Sequence, residues 1–460
     1  MQQLKDKLRG AILLAVALLV GMSAWAQGSS INAFSPYTMY GIGELNTPGT
    51  MASRSMGGVG VAARVNGTIN LLNPAGLSMV ARKSFLLNFG GEGQNYYNYQ
   101  TQQGVEKSSA HNSFNLRDIA VLFPLYKNLG MSVAVTPYSS VGYQLMYDHH
   151  YDASDPVWGN VGRVNYAYKG EGDLTEVKIG VGYQLFKNFS VGVSAQYYWG
   201  DIDREFVMTP VSMTGDGVFG AITGHSEYAI SRFKGQVGVQ YSPILNQKRI
   251  LTFGAAYDFG GDLVPKVTET IYGDDLYETT VKGDTTQMEL VLPRKVVAGV
   301  YYQTARWSVG LDYEYQGWGD TNSKRVMTGV EAATGRQFEV SYTDTHTIKA
   351  GVEFVPSRYD VRRFFNRLSY RAGVRYGNYH QSYNGQKLDE MAVTIGIGIP
   401  IKFLGISAID IGAEYGRRGY NVNENVGLVR QQYFKFGIGF KLFAAGSENN
   451  EYWFMRPKYD

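Results

Sequence analysis

The 460-residue sequence contains no cysteine. That absence excludes disulfide staples, thiolate metal sites and a lipid-modified N-terminal cysteine, so any attachment to a membrane has to come from the fold itself. Long apolar runs are also scarce. One opens the chain, Ala11 to Val20, and it is about half of the roughly 20 residues a helix needs to cross a bilayer. No later stretch reaches ~18 consecutive apolar residues, which argues against a helical membrane protein. Neither sign of charge dominates: 43 Lys and Arg against 40 Asp and Glu leave a net charge of +3, so nucleic acid is not an expected partner. No Pro-rich or Ser-rich linker divides the chain into smaller domains.

Lys5, Lys7 and Arg9 precede the first apolar run and Ala24-Trp25-Ala26 closes it, the layout of an export signal with cleavage expected after Ala26. What the rest has in quantity is aromatic residues and glycine: 35 Tyr, 22 Phe and 56 Gly. Mean hydropathy is −0.21. Strands that show apolar groups to lipid and polar groups to a lumen average to such a near-neutral value, with aromatics collected at the two interfaces.

The period-two signal is clearest from Trp307 to Gln316, where Trp307, Val309, Leu311, Tyr313 and Tyr315 share one face and Ser308, Gly310, Asp312, Glu314 and Gln316 the other. The same division recurs at Ile409, Ile411, Ala413 and Tyr415 against Asp410, Gly412, Glu414 and Gly416. It recurs again at Phe434, Phe436, Ile438, Phe440 and Leu442 against Lys435, Gly437, Gly439 and Lys441. One face suits hydrocarbon and the other water. A soluble sandwich would also alternate, but its outer face is rarely so rich in glycine.

About fourteen such runs fit the chain, near residues 84–93, 114–125, 129–147, 163–186, 189–200, 228–242, 249–260, 293–304, 306–318, 343–355, 367–378, 388–401, 407–417 and 430–443. An even count suits a single-chain bacterial barrel. Tight links such as Lys127-Asn128, Lys187-Asn188 and Thr304-Ala305 follow the even runs, and polar loops, the long ones near 201–227, 261–290 and 319–342 among them, follow the odd runs. The reading is therefore an all-β protein, a transmembrane antiparallel β-barrel of the Gram-negative outer membrane. Its turns face the periplasm, where the sheet both starts and finishes. Inward charges of both signs (Lys178, Arg232, Lys234, Arg371 and Arg375 with Asp258, Asp312, Glu314, Glu353 and Glu414) are expected to pair and hold the wall rather than select ions.

More than fifty residues separate the signal from the first run, and they alternate little. Met39, Met51, Met56, Val59, Val61, Leu71 and Leu72 need cover from water, and the lumen of a barrel this wide supplies it. The expected organisation is thus signal peptide 1–26, N-terminal hatch 27–83, barrel 84–443 and periplasmic tail 444–460, the tail carrying Tyr452, Trp453, Phe454, Arg456 and Lys458.

Here the residues carry a resemblance. Ser55-Met56-Gly57-Gly58-Val59-Gly60-Val61-Ala62, then Asn73-Pro74-Ala75-Gly76-Leu77, then a barrel of this size resembles the FadL/TodX family of outer-membrane transporters for hydrophobic compounds. Layout agrees throughout, and residue motifs agree between about 52 and 79. The resemblance implies passive uptake of hydrophobic small molecules of the long-chain fatty acid or aromatic hydrocarbon type. The Gly57, Gly58, Gly60 segment and the Asn73 to Leu77 motif would belong to the hatch, and release would be sideways into outer-membrane lipid where the third strand kinks. Pro137 lies inside the third run, and proline lacks the N–H that a ladder needs. From the residues alone a bulge that merely bends the wall accounts for Pro137 as well as an opening does, and the resemblance favours the opening. The same superfamily includes the shuttle barrel of the type IX secretion system, so a plugged barrel that binds periplasmic or secreted proteins is the first alternative. A general porin is another.

Three further patterns have plainer explanations than chemistry. His380, Ser382 and Asn384 resemble the His-x-Ser pair of outer-membrane phospholipase, but loop hydrogen bonding explains them more simply. His149 and His150 with Asp148, Asp152 and Asp155, and the pair Asp274-Asp275, are of metal-capable type without metal-ligand spacing. Gly58 to Ala63 has dinucleotide-loop spacing but no βαβ context. No catalytic residue, metal or cofactor is expected.

Overall fold

The computed structural model describes residues 34–445, apart from 82–83, 103–104, 151–153, 155–160, 213–219, 246–248, 264, 274–275, 284–289, 320–326, 331–336, 359, 361, 402–406 and 421–428. The expected signal peptide, nearly all of the expected tail, and Asp152, Asp155, Asp274 and Asp275 lie outside the described residues.

Fourteen antiparallel strands make the barrel: β1 Ser84–Gln102, β2 Val105–Tyr126, β3 Leu129–His150, β4 Val161–Phe186, β5 Phe189–Ser212, β6 Ile222–Leu245, β7 Arg249–Asp258, β8 Arg294–Thr304, β9 Trp307–Gly317, β10 Thr345–Phe354, β11 Ser369–Tyr383, β12 Gln386–Ile401, β13 Ser407–Arg418 and β14 Arg430–Ala445. β14 pairs with β1 from Ser84↔Ala445 to Tyr99↔Arg430, which closes the wall. Closure matters because lipid offers no hydrogen bonds to an open edge. The alternation seen in the sequence is the alternation of the wall: along β9 the side chains are exposed and buried in turn, with Leu311 55% and Val309 47% exposed against Asp312 at 1%. Among the described residues no helix is long and apolar enough to cross a membrane.

The turn rim holds the two-residue link at Lys127-Asn128, where Asn128 has φ 63°, a left-handed conformation that asparagine tolerates. Link lengths depart from strict alternation: only residues 103–104 separate β1 from β2 at the loop rim, and two further places stand out. At the opposite rim β11 and β12 meet through Asn384-Gly385, with φ 50° and 75°, the pair favoured in a tight primed turn. On the turn rim β10 and β11 are joined by the long segment 355–368, which includes the short 3-10 helix Phe364–Arg367.

The wall has two heights. β1 to β6 are 19, 22, 22, 26, 24 and 24 residues long, whereas β7 to β10 are 10, 11, 11 and 10. Since ~9–11 residues cross a bilayer, the six long strands overshoot by roughly their own spanning length. They overshoot at the loop end, where the hairpin Lys266–Gly273 and Leu276–Gly283 extends β6. The segment read as a loop at 201–227 is therefore mostly strand, to Ser212 and from Ile222. The loops near 261–290 and 319–342 likewise contain short strands. The reason is an inversion of pattern above the membrane. There the outer face carries Glu171, Asp203 and Glu227 in one cross-strand row, and the inner face carries Val141, Leu174, Ile202 and Ile230, packed around Ile42 and Trp318.

Candidate functional site

Residues 34–80 fill the lumen. Met51, Met56, Val59, Val61 and Leu71, which the sequence required to be covered, are all buried. What admits the segment so close to the wall is a belt of inward glycines. Gly182, Gly192 and Gly238 are cross-strand neighbours, as are Gly310, Gly351 and Gly373, and Gly396, Gly412 and Gly437. A Cβ at Gly373 would strike the backbone of Met56 and Gly57, and one at Gly192 that of Pro74 and Ala75. These inward faces read from sequence as suited to water. They face the hatch instead.

Polar contacts fix the hatch once it is seated. Gly57 and Gly58 adopt φ 72° and 81°, a left-handed turn open to glycine, and Gly57 N–H donates to Thr394 Oγ1 at 2.8 Å. Gly60 and Val61 N–H both donate to Asp312 Oδ2, at 2.7 and 3.0 Å. The run with dinucleotide-loop spacing thus does grip an anion, a carboxylate of its own wall. Asn73 Oδ1 accepts from Ala75 N–H at the start of the 3-10 helix Pro74–Met79. Its Nδ2 donates to the carbonyls of Val61, Val239 and Ala255 at 2.9, 3.1 and 3.2 Å. Ala75 is fully buried, Gly76 lies against Asn70, and Leu77 enters an apolar cluster with Leu86 and Leu122.

Buried ion pairs complete the attachment. Arg54 reaches Asp118 at 3.3 Å and Glu92 at 3.8 Å, and Glu44 is held by Arg418 at 3.3 Å and Lys435 at 3.7 Å. Of the wall charges expected to pair with one another, Arg371 pairs with Glu353 on the adjacent strand and Arg375 with Glu414 across β12, whereas Asp258 and Glu314 pair with Lys295 and Lys349, which the sequence reading did not single out. Lys178 instead donates to Leu71 O of the hatch at 2.9 Å, and Arg232 is exposed. A cavity of about 160 Å³ remains between hatch and wall, lined by Glu176, Lys178, Lys234, Asp258, Lys295, Glu314, Lys349 and Arg375 among others.

The hatch also mends the wall. The β2–β3 ladder ends at Ile119↔Val135, two residues before Pro137, and the β3–β4 register slips between Pro137 and Ser139. Beyond that point β3 pairs with the hatch: Glu44↔Ser140 and Leu45↔Ser139 form a two-residue strand. Asn46 N–H donates to Tyr138 O at 2.8 Å and Ser35 N–H to Gly142 O at 2.9 Å. Arg117 of β2 reaches across to Asn46 Oδ1. Pro137 therefore marks a place where two wall strands part and the hatch stands between them. No sequence pattern announces that substitution, because a two-residue strand carries no periodicity.

A family model described as BamG matches residues 9–460. The chain belongs to the BamG family. Among solved structures, the CymD monoaromatic hydrocarbon channel superposes with a TM-score of 0.57 at 16% identity, covering 88% of this chain and 100% of that one. The Pseudomonas putida toluene transporter TodX gives 0.53 at 17%, covering 88% and 99%. A Pseudomonas aeruginosa FadL homologue gives 0.55 at 13%, covering 87% and 98%. No curated protein matches the chain in sequence. At such identities the likeness is one of fold, and the fold is that of a FadL-type outer-membrane barrel.

In this BamG-family chain the remaining sequence candidates fall apart geometrically. His380 is buried and stacked on Trp318 at 4.6 Å, while Ser382 Oγ bonds Ser341 Oγ at 2.7 Å, and Asn384 sits in the hairpin turn. No hydrogen bond joins His380 to Ser382, so a base and its nucleophile are not assembled. His149 and His150 end β3, opposite Val164 and Arg163, and Asp148 is engaged by Asn165 and Arg163.

Proposed function

We propose that this BamG-family barrel acts as a binding partner for other proteins at the outer membrane, with its lumen kept shut. The observation that carries the reading is the seam at β3, where the hatch serves as wall and is fixed by buried ion pairs. Opening it takes the ion-pair partner from buried Asp118 and Lys435, at about 3–5 kcal/mol for each broken pair, while Glu92 keeps Arg117 and Arg418 keeps Glu390. The cavity that remains sets charged groups of both signs beside apolar ones such as Leu71, Leu72 and Val297, and an apolar cargo would have to pass those charges. The tall flank of β1 to β6 offers a broad polar surface beyond the lipid, where a partner can be held. Purification of the full-length protein from native membranes is the test: large partners should co-purify in stoichiometric amount, and loss of the protein should leave uptake of fatty acids and aromatic hydrocarbons unchanged.

A second reading is passive, hatch-gated uptake of hydrophobic small molecules, with release beside Pro137. It draws on the fold shared with proteins described as hydrocarbon channels and on the end of the β2–β3 ladder before Pro137. Under it, loss of the protein lowers hydrophobic uptake and no partner co-purifies. A general porin would need an open lumen, and the hatch occupies it.

A further inference from the structure

One segment of the turn rim is built unlike its neighbours. The other described links there are short, yet 355–368 is long and carries Arg358, Arg362, Arg363 and Arg367 around Phe364 and Phe365. Phe365 is 72% exposed and Phe364 45%. The segment is ordered by its own contacts. Asp360 Oδ1 accepts from the N–H groups of Arg362 and Arg363, both at 2.9 Å, and Ser357 N–H donates to Asn366 O at 2.8 Å. The exposed phenyl rings are therefore presented by a folded element.

Its position says which solvent they meet. Tyr370, on the lipid-facing side of β11, donates through its hydroxyl to Phe365 O at 3.1 Å. Trp307, Phe354 and Tyr370 are consecutive cross-strand partners on that face, with the Trp307 and Phe354 rings 4.3 Å apart. This row is an interfacial aromatic girdle, and Phe364 and Phe365 continue it. Arg358 pairs with Glu353, but among the described residues no ion pair engages Arg362, Arg363 or Arg367, and Arg367 lies over the Phe364 ring at 5.4 Å. Arg306 of the adjoining turn is also exposed and accepts Val355 N–H at its carbonyl. Aromatic rings at the acyl boundary with arginines just outside them match a lipid whose phosphate is anionic.

We propose that residues 362–367 form a binding site for anionic phospholipid of the inner leaflet, in which Phe364 and Phe365 enter the acyl region and Arg362, Arg363 and Arg367 hold the headgroup phosphate. The proposal stands independently of what the lumen does. To test it, full-length protein is placed in vesicles of equal phosphatidylglycerol and phosphatidylcholine, and native mass spectrometry counts the lipids retained. The wild type should retain phosphatidylglycerol preferentially. R362Q/R363Q should lower that preference on the order of tenfold or more, at ~1 kcal/mol per arginine. F364S/F365S should lower retention of both lipids, and K127E/K187E, on other turns, should leave the preference near wild type. Heat-modifiable gel mobility verifies that each variant has folded. Unchanged preference in R362Q/R363Q, or an equal loss in K127E/K187E, overturns the site. So does loss of a co-purifying protein from R362Q/R363Q with lipid retention intact, which would assign the segment to a protein partner.

Discussion

At the scale of the residue, the hatch is held by a few side chains whose partners are buried. Arg54 shows this most sharply, because its removal leaves buried Asp118 without an ion-pair partner among the described residues, while Glu92 keeps Arg117 at 3.5 Å. Arg54→Ala should cost about 3–5 kcal/mol, seen as a lowered temperature for the folded-to-unfolded gel transition, and Arg54→Lys should recover part of it. Asp360 permits a pH test in the turn segment. Hydrogen bonds from Asn366 and from the N–H groups of Arg362 and Arg363 hold its carboxyl below the usual range. A lowered folded value means that its contribution is complete above the ordinary aspartate pKa of about 3.9 and is lost as pH falls through the lowered value. Hydrogen exchange at Arg362 and Arg363, corrected for intrinsic rates, should therefore accelerate below about pH 4. Asp360→Asn should abolish the step. Single residues were legible in the sequence by type but not by partner: the Asn73 motif stood out, whereas its bonds to Val239 and Ala255 join positions far apart in the chain.

At the scale of the element, the strands themselves were open to sequence reasoning where they touch lipid. Fourteen runs became fourteen strands, because each buries one face against a lumen and shows the other to hydrocarbon. The upper halves of β5 and β6 were missed for the converse reason, since above the lipid the apolar side chains turn inward and the acidic ones outward. The inward glycines were visible as glycines, but alternation assigns a face and says nothing of what lies against it. Their role can be checked at the seat of the hatch. A side chain at Gly373 meets the backbone of Met56 and Gly57 at a point where β11 is flanked by two other wall strands and cannot give way. Gly373→Val should leave heat-modifiable folding intact while single channels appear in planar bilayers. A silent bilayer with a folded barrel would show that the hatch seats elsewhere.

At the scale of the whole molecule, the barrel separates three tasks: the lower wall meets lipid, the glycine belt and ion pairs keep the lumen filled, and the tall flank stands in water. The flank carries Glu171, Asp203 and Glu227 side by side on its outer face, with Lys169 beside Glu171 and His225 beside Asp203. If partners are held there, the triple change E171K/D203K/E227K should reduce their recovery in a pull-down several-fold and flatten its dependence on salt. R362Q/R363Q, at the opposite rim, should leave that recovery unchanged.

A cylinder of even height looks alike from every side, but this one does not. With β4 at 26 residues and β10 at 10, it has a high side and a low side in the plane of the membrane. Under the proposed role in binding partners, anything resting on the high side sits off the barrel's axis and is held at a fixed bearing, as a quay wall berths a ship along one edge.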